Sequence, residues 1–164
     1  MGSGKRNLKE ILVLDEAMAV IKKMSGNEFI TFENNDEAIE LFSKKVLENG
    51  HMLVEYINDE PAGYICFYCN DHATKTGFVT AIVVSGQGLV KGKIIMNLAK
   101  MAISYGTKAG MTQLRVQVHK DNKHARKLYE QLGLEYTGEE NENGLYMVVS
   151  IEKLAKAMRI RIDD

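Results

Sequence analysis

The chain has 164 residues, a formal net charge of -1, and 45% hydrophobic against 26% charged residues. That length suits one domain with a substantial core, and the balanced charge excludes the basic footprint of a nucleic-acid or anionic-membrane binder. No apolar run is long enough to cross a bilayer, and the opening MGSGKRNLKE lacks the apolar core of a signal peptide. A cytoplasmic protein without nucleic-acid or membrane partners is expected, a single domain over 1–164 with residues 1–7 flexible.

In chain order, Leu8, Ile11, Leu12, Leu14, Ala17, Met18, Ile21 and Met24 carry mostly helical spacing and predict a helix over 8–24, with Gly26 as its stop. Residues 29–32 read as an extended link or a strand. Asn34, Asn35 and Asp36 offer caps for a second helix that runs through Ala38, Ile39, Leu41, Phe42, Val46 and Leu47 to Gly50. Both helices read as amphipathic covers. Strands follow at 51–57 and 64–69, separated by NDEPAG, which holds the only proline and predicts a turn. The polar NDHATKTG then leads to a third strand at 78–84.

From Leu89 the period switches to helical, with Ile94, Ile95, Leu98, Met101, Ala102 and Tyr105 on one stripe ending near Gly106 and Gly110. Leu114, Val116 and Val118 alternate with Gln113, Arg115 and Gln117 in a further strand. Asp121 or Asn122 caps the next helix, whose inner side is Ala125, Leu128, Tyr129 and Leu132 and whose stop is Gly133. A hairpin of LEYTG, ENENG and LYMVVSI follows. The tail over 152–164, with Lys153, Lys156, Arg159 and Arg161, reads as a solvated basic helix.

Cys66 and Cys69 form a C-x-x-C. A redox dithiol sits at a helix N-terminus, but YICFYC is aromatic and β-branched and reads as strand, where the two thiols point to opposite faces. With His72 there are three zinc-type ligands where a structural site wants four. Plain buried thiols in a reducing compartment are the expectation, and no metal.

The glycine turn SGQGLVKGK, between a β-branched strand and a long helix, presents backbone N–H groups to an anion, most commonly phosphate. It is not a Walker loop, because five residues separate Gly86 from Gly92 and Ile94 follows Lys93 where Ser or Thr is required. It is not a dinucleotide fingerprint either: the spacing of Gly86, Gly88 and Gly92 is one residue too long, and an antiparallel meander precedes it.

Two motifs together resemble the GNAT superfamily of N-acetyltransferases. Residues Gln87, Gly88, Leu89, Val90, Lys91 and Gly92 are similar to the family's Q/R-x-x-G-x-G/A turn, and Gly92-Lys93-Ile94-Ile95-Met96 resembles the start of its third helix. Farther on, NKHARKLYEQLGL resembles N-x-x-A-x-x-L-Y-x-x-x-G-F, placing Asn122, Ala125, Leu128, Tyr129 and Gly133, with Leu134 in the aromatic slot. Val90 stands where the family usually has glycine.

The resemblance implies an α+β, sandwich-like GNAT fold: a mixed, mostly antiparallel central sheet splayed between its fourth and fifth strands and flanked by helices. It implies acetyl-CoA as co-substrate, with N–H groups of residues 87–93 on the pyrophosphate, Lys91 and Lys93 adding charge, and Ile82, Val83 and Val84 along the pantetheine arm. It further implies Asn122 as a cofactor contact and Tyr129 as general acid, although periodicity alone reads Tyr129 as a core tyrosine on the stripe of Leu128 and Leu132. The position that often carries a glutamate base in the family is Thr80, leaving Glu55, Asp71, His72 and His119 as candidates, or a water chain. Thr80, His119 and Glu55 are the expected substrate-side residues. The implied activity is acetyl transfer to a small-molecule, amino-sugar or peptide amine by a monomer or homodimer. The alternative is a GNAT-like module that binds CoA weakly or not at all and serves in protein interaction.

Overall fold

The computed structural model describes residues 5–26, 33 and 35–161. Its seven-stranded sheet runs β1 (Arg6–Glu10), β2 (His51–Ile57), β3 (Glu60–Asp71), β4 (Thr76–Val84), β5 (Gln113–Val118), β7 (Gly144–Ser150) and, at the far edge, β6 (Glu135–Asn141). Every neighbouring pair is antiparallel except β4 and β5. A parallel pair needs a crossover, and α3 (Gly88–Lys108) supplies it. The fold is α+β, as the sequence resemblance implies.

Helices cover both faces of the sheet. On one, α1 (Leu14–Lys23) and α2 (Asp36–Asn49) bury Ala17, Val20, Ile21, Ile39 and Val46 against Met52, Val54, Tyr64, Cys66, Ala81 and Val83. On the other, α3 and α5 (Ile151–Ala157) bury Ile94, Leu98, Ala102, Ile103, Ile151 and Leu154 against Leu53, Ile65, Phe67, Leu114, Val116 and Met147. Each fully buried aliphatic or aromatic side chain contributes about 1.5–3 kcal/mol. α4 (Lys123–Gln131) lies on this second face through Ala125, Tyr129 and Leu132, which are only partly buried.

Several elements depart from the sequence expectations. The helix expected over 8–24 is β1 followed by α1, and Arg6 and Asn7, expected to be flexible, pair with Ile57 and Tyr56. The turn expected around Pro61 is formed instead by Asn58 and Asp59, both at positive φ, and Pro61 already lies in β3. The proline is tolerated because Ala62 is an extra residue on β3 there: Glu55 pairs with Gly63 and Tyr56 with Pro61. The tail is not a solvated helix, since Ile151, Leu154, Ala155 and Met158 are buried. Its Ser150 caps α5 by accepting from the Lys153 N–H at 3.1 Å. The link expected over 29–32 and the candidate cap Asn34 lie outside the described residues; Asn35 caps α2, its Oδ1 accepting from the Ala38 N–H at 2.8 Å.

Cys66 packs on the α1–α2 face and Cys69 on the α3 face, so the pair cannot act as a dithiol. Burial pushes both thiols up, Cys69 to about 11. Among the described residues no group of three His, Cys, Asp or Glu side chains could hold a metal, and no helix is long and apolar enough to cross a membrane.

Candidate active site

The site begins with a fault in the sheet. β4 and β5 pair only from Thr76–Gln113 to Val79–Val116. At the end of that register β4 carries an extra residue, because Phe67 pairs with Val79 but Cys66 pairs with Ala81, which places Thr80 in a bulge. A bulge bends its strand and increases the local twist. Here β4 turns away from β5, and residues 81–84 keep β3 on one side while losing a strand partner on the other.

The resulting cleft has a volume of about 250 Å³. One wall is strand β4 with Ile82, Val83 and Val84, and the other is the end of β5 with Gln117, Val118 and His119. Lys91 and Ile95 of α3 and Asn122, His124, Leu128 and Tyr129 of α4 complete it. Gly144 opens β7 because a Cβ there would lie 2.3 Å from the Val118 carbonyl oxygen; its absence lets β7 pack against the strand end that carries His119.

The N-terminus of α3 is positioned by the two bulges on its path. The carbonyl of Ala62, the extra residue of β3, accepts from both the N–H (2.9 Å) and the hydroxyl (3.0 Å) of Ser85. From that anchor the chain reverses through Gly86 at φ +87° and Gly88 at φ +60°, a region that favours glycine. Gln87 stands at the N-cap in extended conformation without a side-chain cap, and the first turn holds no acidic residue. The orphan N–H groups of this turn and the positive end of a 21-residue helix are thus left for an external anion. Val90 is an ordinary helical residue, not among those at positive φ, so its side chain imposes no strain on the turn.

Asn122 caps α4, its Oδ1 accepting from the Ala125 N–H at 3.2 Å, so its amide NH₂ is the group left to donate into the cleft. Tyr129 faces the cleft, and its hydroxyl has no hydrogen-bond partner among the described residues. Desolvation by burial pushes that hydroxyl up to about 12, which holds its proton in place at neutral pH. His119 Nδ1 accepts from the Asp121 N–H at 3.1 Å. The same Nδ1 lies 3.9 Å from the Asp121 carboxylate.

The expected site residues therefore divide. Ile82, Val83, Val84, Lys91, His119, Asn122 and Tyr129 converge on the cleft. Gln87, Gly88, Leu89, Val90, Gly92 and Lys93 form the exposed start of α3 without lining it, and Thr80 shapes it through the bulge. Glu55 does not reach it: it is 2% exposed beneath α3, accepts from Asn97 Nδ2 at 2.8 Å and lies 3.7 Å from Arg6. Asp71 and His72 sit at the opposite end of β4, where hydrogen bonds from the Thr74 hydroxyl and N–H hold the Asp71 carboxyl below its ordinary range. His124 and Gln117 were not singled out by the sequence. The signal for Gln117 was its alternation with Val116 and Val118, and His124 follows the Asn122 cap by two positions.

The sequence model of the acetyltransferase (GNAT) family matches residues 21–134, which run from the last turn of α1 to the residue before β6 and include every element of the cleft. The chain belongs to the GNAT acetyltransferase family. No curated protein sequence matches it significantly. Among solved structures, the ribosomal-protein-S18-alanine N-acetyltransferase of Escherichia coli superposes with a TM-score of 0.66 at 15% identity, covering 90% of this chain and 94% of that one. A GNAT-family acetyltransferase of Streptococcus pneumoniae gives 0.62 at 19% identity, covering 89% and 99%. Aminoglycoside 6'-acetyltransferase type Ii gives 0.66 at 16%, covering 88% and 97%. At these identities the likeness is one of fold, and the GNAT cleft must be read from this chain's own residues.

Proposed function

We propose that this protein is an acetyl-CoA-dependent N-acetyltransferase acting on a primary amine of a small molecule, amino sugar or peptide. One observation carries the reading: the parting of β4 and β5 brings a bare strand edge and an unpartnered tyrosine hydroxyl onto one cleft, beside the uncapped start of α3, whose Lys91 lines it. These are an anion holder, a hydrogen-bonding rail and a proton donor. Acetyl-CoA supplies the activated acyl group and a thiolate leaving group.

The N–H groups of residues 87–93 and the Lys91 ammonium hold the phosphate end. Backbone groups at Ile82, Val83 and Val84 align the arm, and an N–H of that edge stabilises charge developing on the acyl oxygen, as a fixed dipole does in a water-poor cleft. The Asn122 amide donates to the same ligand. Tyr129, protonated at neutral pH, gives its hydroxyl proton to the departing sulfur and recovers one from solvent. No carboxylate is among the described residues lining the cleft, so the amine proton leaves through water or through His119, the candidate base that lines it.

The test is a panel of amine acceptors with acetyl-CoA, read by the appearance of free thiol. With an accepted amine, Tyr129→Phe should lower kcat by about 10²–10⁴-fold and leave acetyl-CoA affinity nearly unchanged. Equal turnover by the variant would remove Tyr129 from its role. The missing carboxylate favours one second reading, a CoA-responsive interaction module, for which the cofactor would bind and no amine would release thiol.

A further inference from the structure

Beside the cleft lies a second cavity of about 70 Å³, between α3, α4 and the sheet. The two spaces share a wall of four side chains, Ile82, Ile95, Leu128 and Tyr129. Beyond that wall the lining is hydrocarbon, including Ala99, Leu132, Val149, Leu154 and Met158. α4 itself shows that something is missing beneath it. The helix carries a clear apolar stripe, yet none of its residues is buried. An amphipathic helix ordinarily buries its stripe in tight packing, and a dry void forfeits those contacts. Water does not substitute, because a cavity without two to four polar partners does not hold it.

We propose that this cavity is an acyl-chain pocket and that the protein uses short linear acyl-CoA thioesters, butyryl to pentanoyl, in preference to acetyl-CoA. The inference rests on the acyl-transfer reading above. The occupant is the acyl tail because the shared wall includes Ile82 on the strand edge and Tyr129, the two groups assigned to the thioester. A hydrocarbon chain starting at that carbonyl would reach the cavity by passing between the side chains of this shared wall. A protonated amine acceptor would not enter a lining of this kind, since burying an unpaired charge is costly. At about 30 Å³ for a water-sized group, the cavity takes roughly two to three methylenes beyond acetyl. The chemistry is unchanged: the C–S bond breaks as the C–N bond forms, the amine gives up one proton and the thiolate takes one.

The test is calorimetric titration of the full chain with CoA, acetyl-CoA, butyryl-CoA and octanoyl-CoA, alongside melting temperatures at a fixed concentration of each. Affinity should rise by up to about fourfold per methylene from acetyl to butyryl, and fall again at octanoyl. Ala99→Leu, which fills the cavity without lining the cleft, should abolish the butyryl gain and keep acetyl-CoA affinity, with Ala99→Val intermediate. Retained acetyl-CoA affinity also reports that the variants are folded. Butyryl-CoA binding no tighter than acetyl-CoA, or a butyryl gain that survives both variants, would overturn the pocket while leaving acetyl transfer standing. Binding of none of the four ligands would overturn the transfer reading and the pocket with it.

Discussion

Leu89→Glu tests the anion site by moving two quantities in opposite directions. Leu89 is 94% exposed in the first turn of α3, so its truncation loses almost no packing. A carboxylate there enters an uncapped turn with no acidic residue and should stabilise the unliganded protein by about 0.3–1 kcal/mol, raising the melting temperature by roughly 1–4 °C. The same charge opposes a phosphate. At about 6 Å in water each pair of unit charges costs about 0.7 kcal/mol, so the two charges of a pyrophosphate cost about 1.4 kcal/mol, or roughly tenfold in Kd. Calorimetric titration of acetyl-CoA at low salt should show that loss, and at 1 M salt, where screening acts within about 3 Å, most of it should vanish. An unchanged Kd at low salt would place the phosphates elsewhere. An equal loss at both salt concentrations would make the effect steric and refute the electrostatic argument.

Three further outcomes follow from buried groups. Glu55→Ala removes the buried carboxylate that accepts from Asn97 and faces the exposed Arg6, and should cost about 1.5–3 kcal/mol in urea denaturation, yet leave acetyl-CoA affinity intact because Glu55 does not line the cleft. Native protein at pH 8 should resist thiol-reactive dyes, since a Cys69 thiol raised to about 11 is only about 0.1% thiolate there, and Cys66 is raised further; labelling of both should appear on unfolding. Stability should fall with rising pH from about 9 toward 11. In that window the unfolded chain releases the thiol protons that the folded chain retains, and a denaturation midpoint constant across it would contradict the assigned burial.

The cleft was more legible in the sequence than the strands that build it. The glycine turn showed itself as an anion cradle by its place between strand and helix, while the roles of Asn122 and Tyr129 came from the resemblance of the two motifs to the GNAT family. β1 escaped because it is an edge strand in which only Leu8 and Glu10 are partly buried, and Leu8 joins Ile11 and Leu14 in a false helical stripe. Pro61 drew the turn toward itself, although a two-residue turn at Asn58 and Asp59 and a bulge at Ala62 leave the proline in a strand. The tail was read by its four basic residues, while its apolar Ile151, Leu154, Ala155 and Met158 carry the packing. Glu55 could not be sorted from a catalytic base in one dimension, because the Asn97 that receives it is 42 positions away. The Thr80 bulge has no local signature at all. It emerges only from the register of β3 against β4, and it is the feature that opens the site.

The most direct measurement is the melting temperature of the full chain with and without millimolar acetyl-CoA. If the cleft holds the cofactor with a Kd about 100-fold below the added concentration, stabilisation is about 2.7 kcal/mol, a rise of roughly 5–10 °C for a chain of this length. A melting temperature unmoved by acetyl-CoA would contradict the account at its centre.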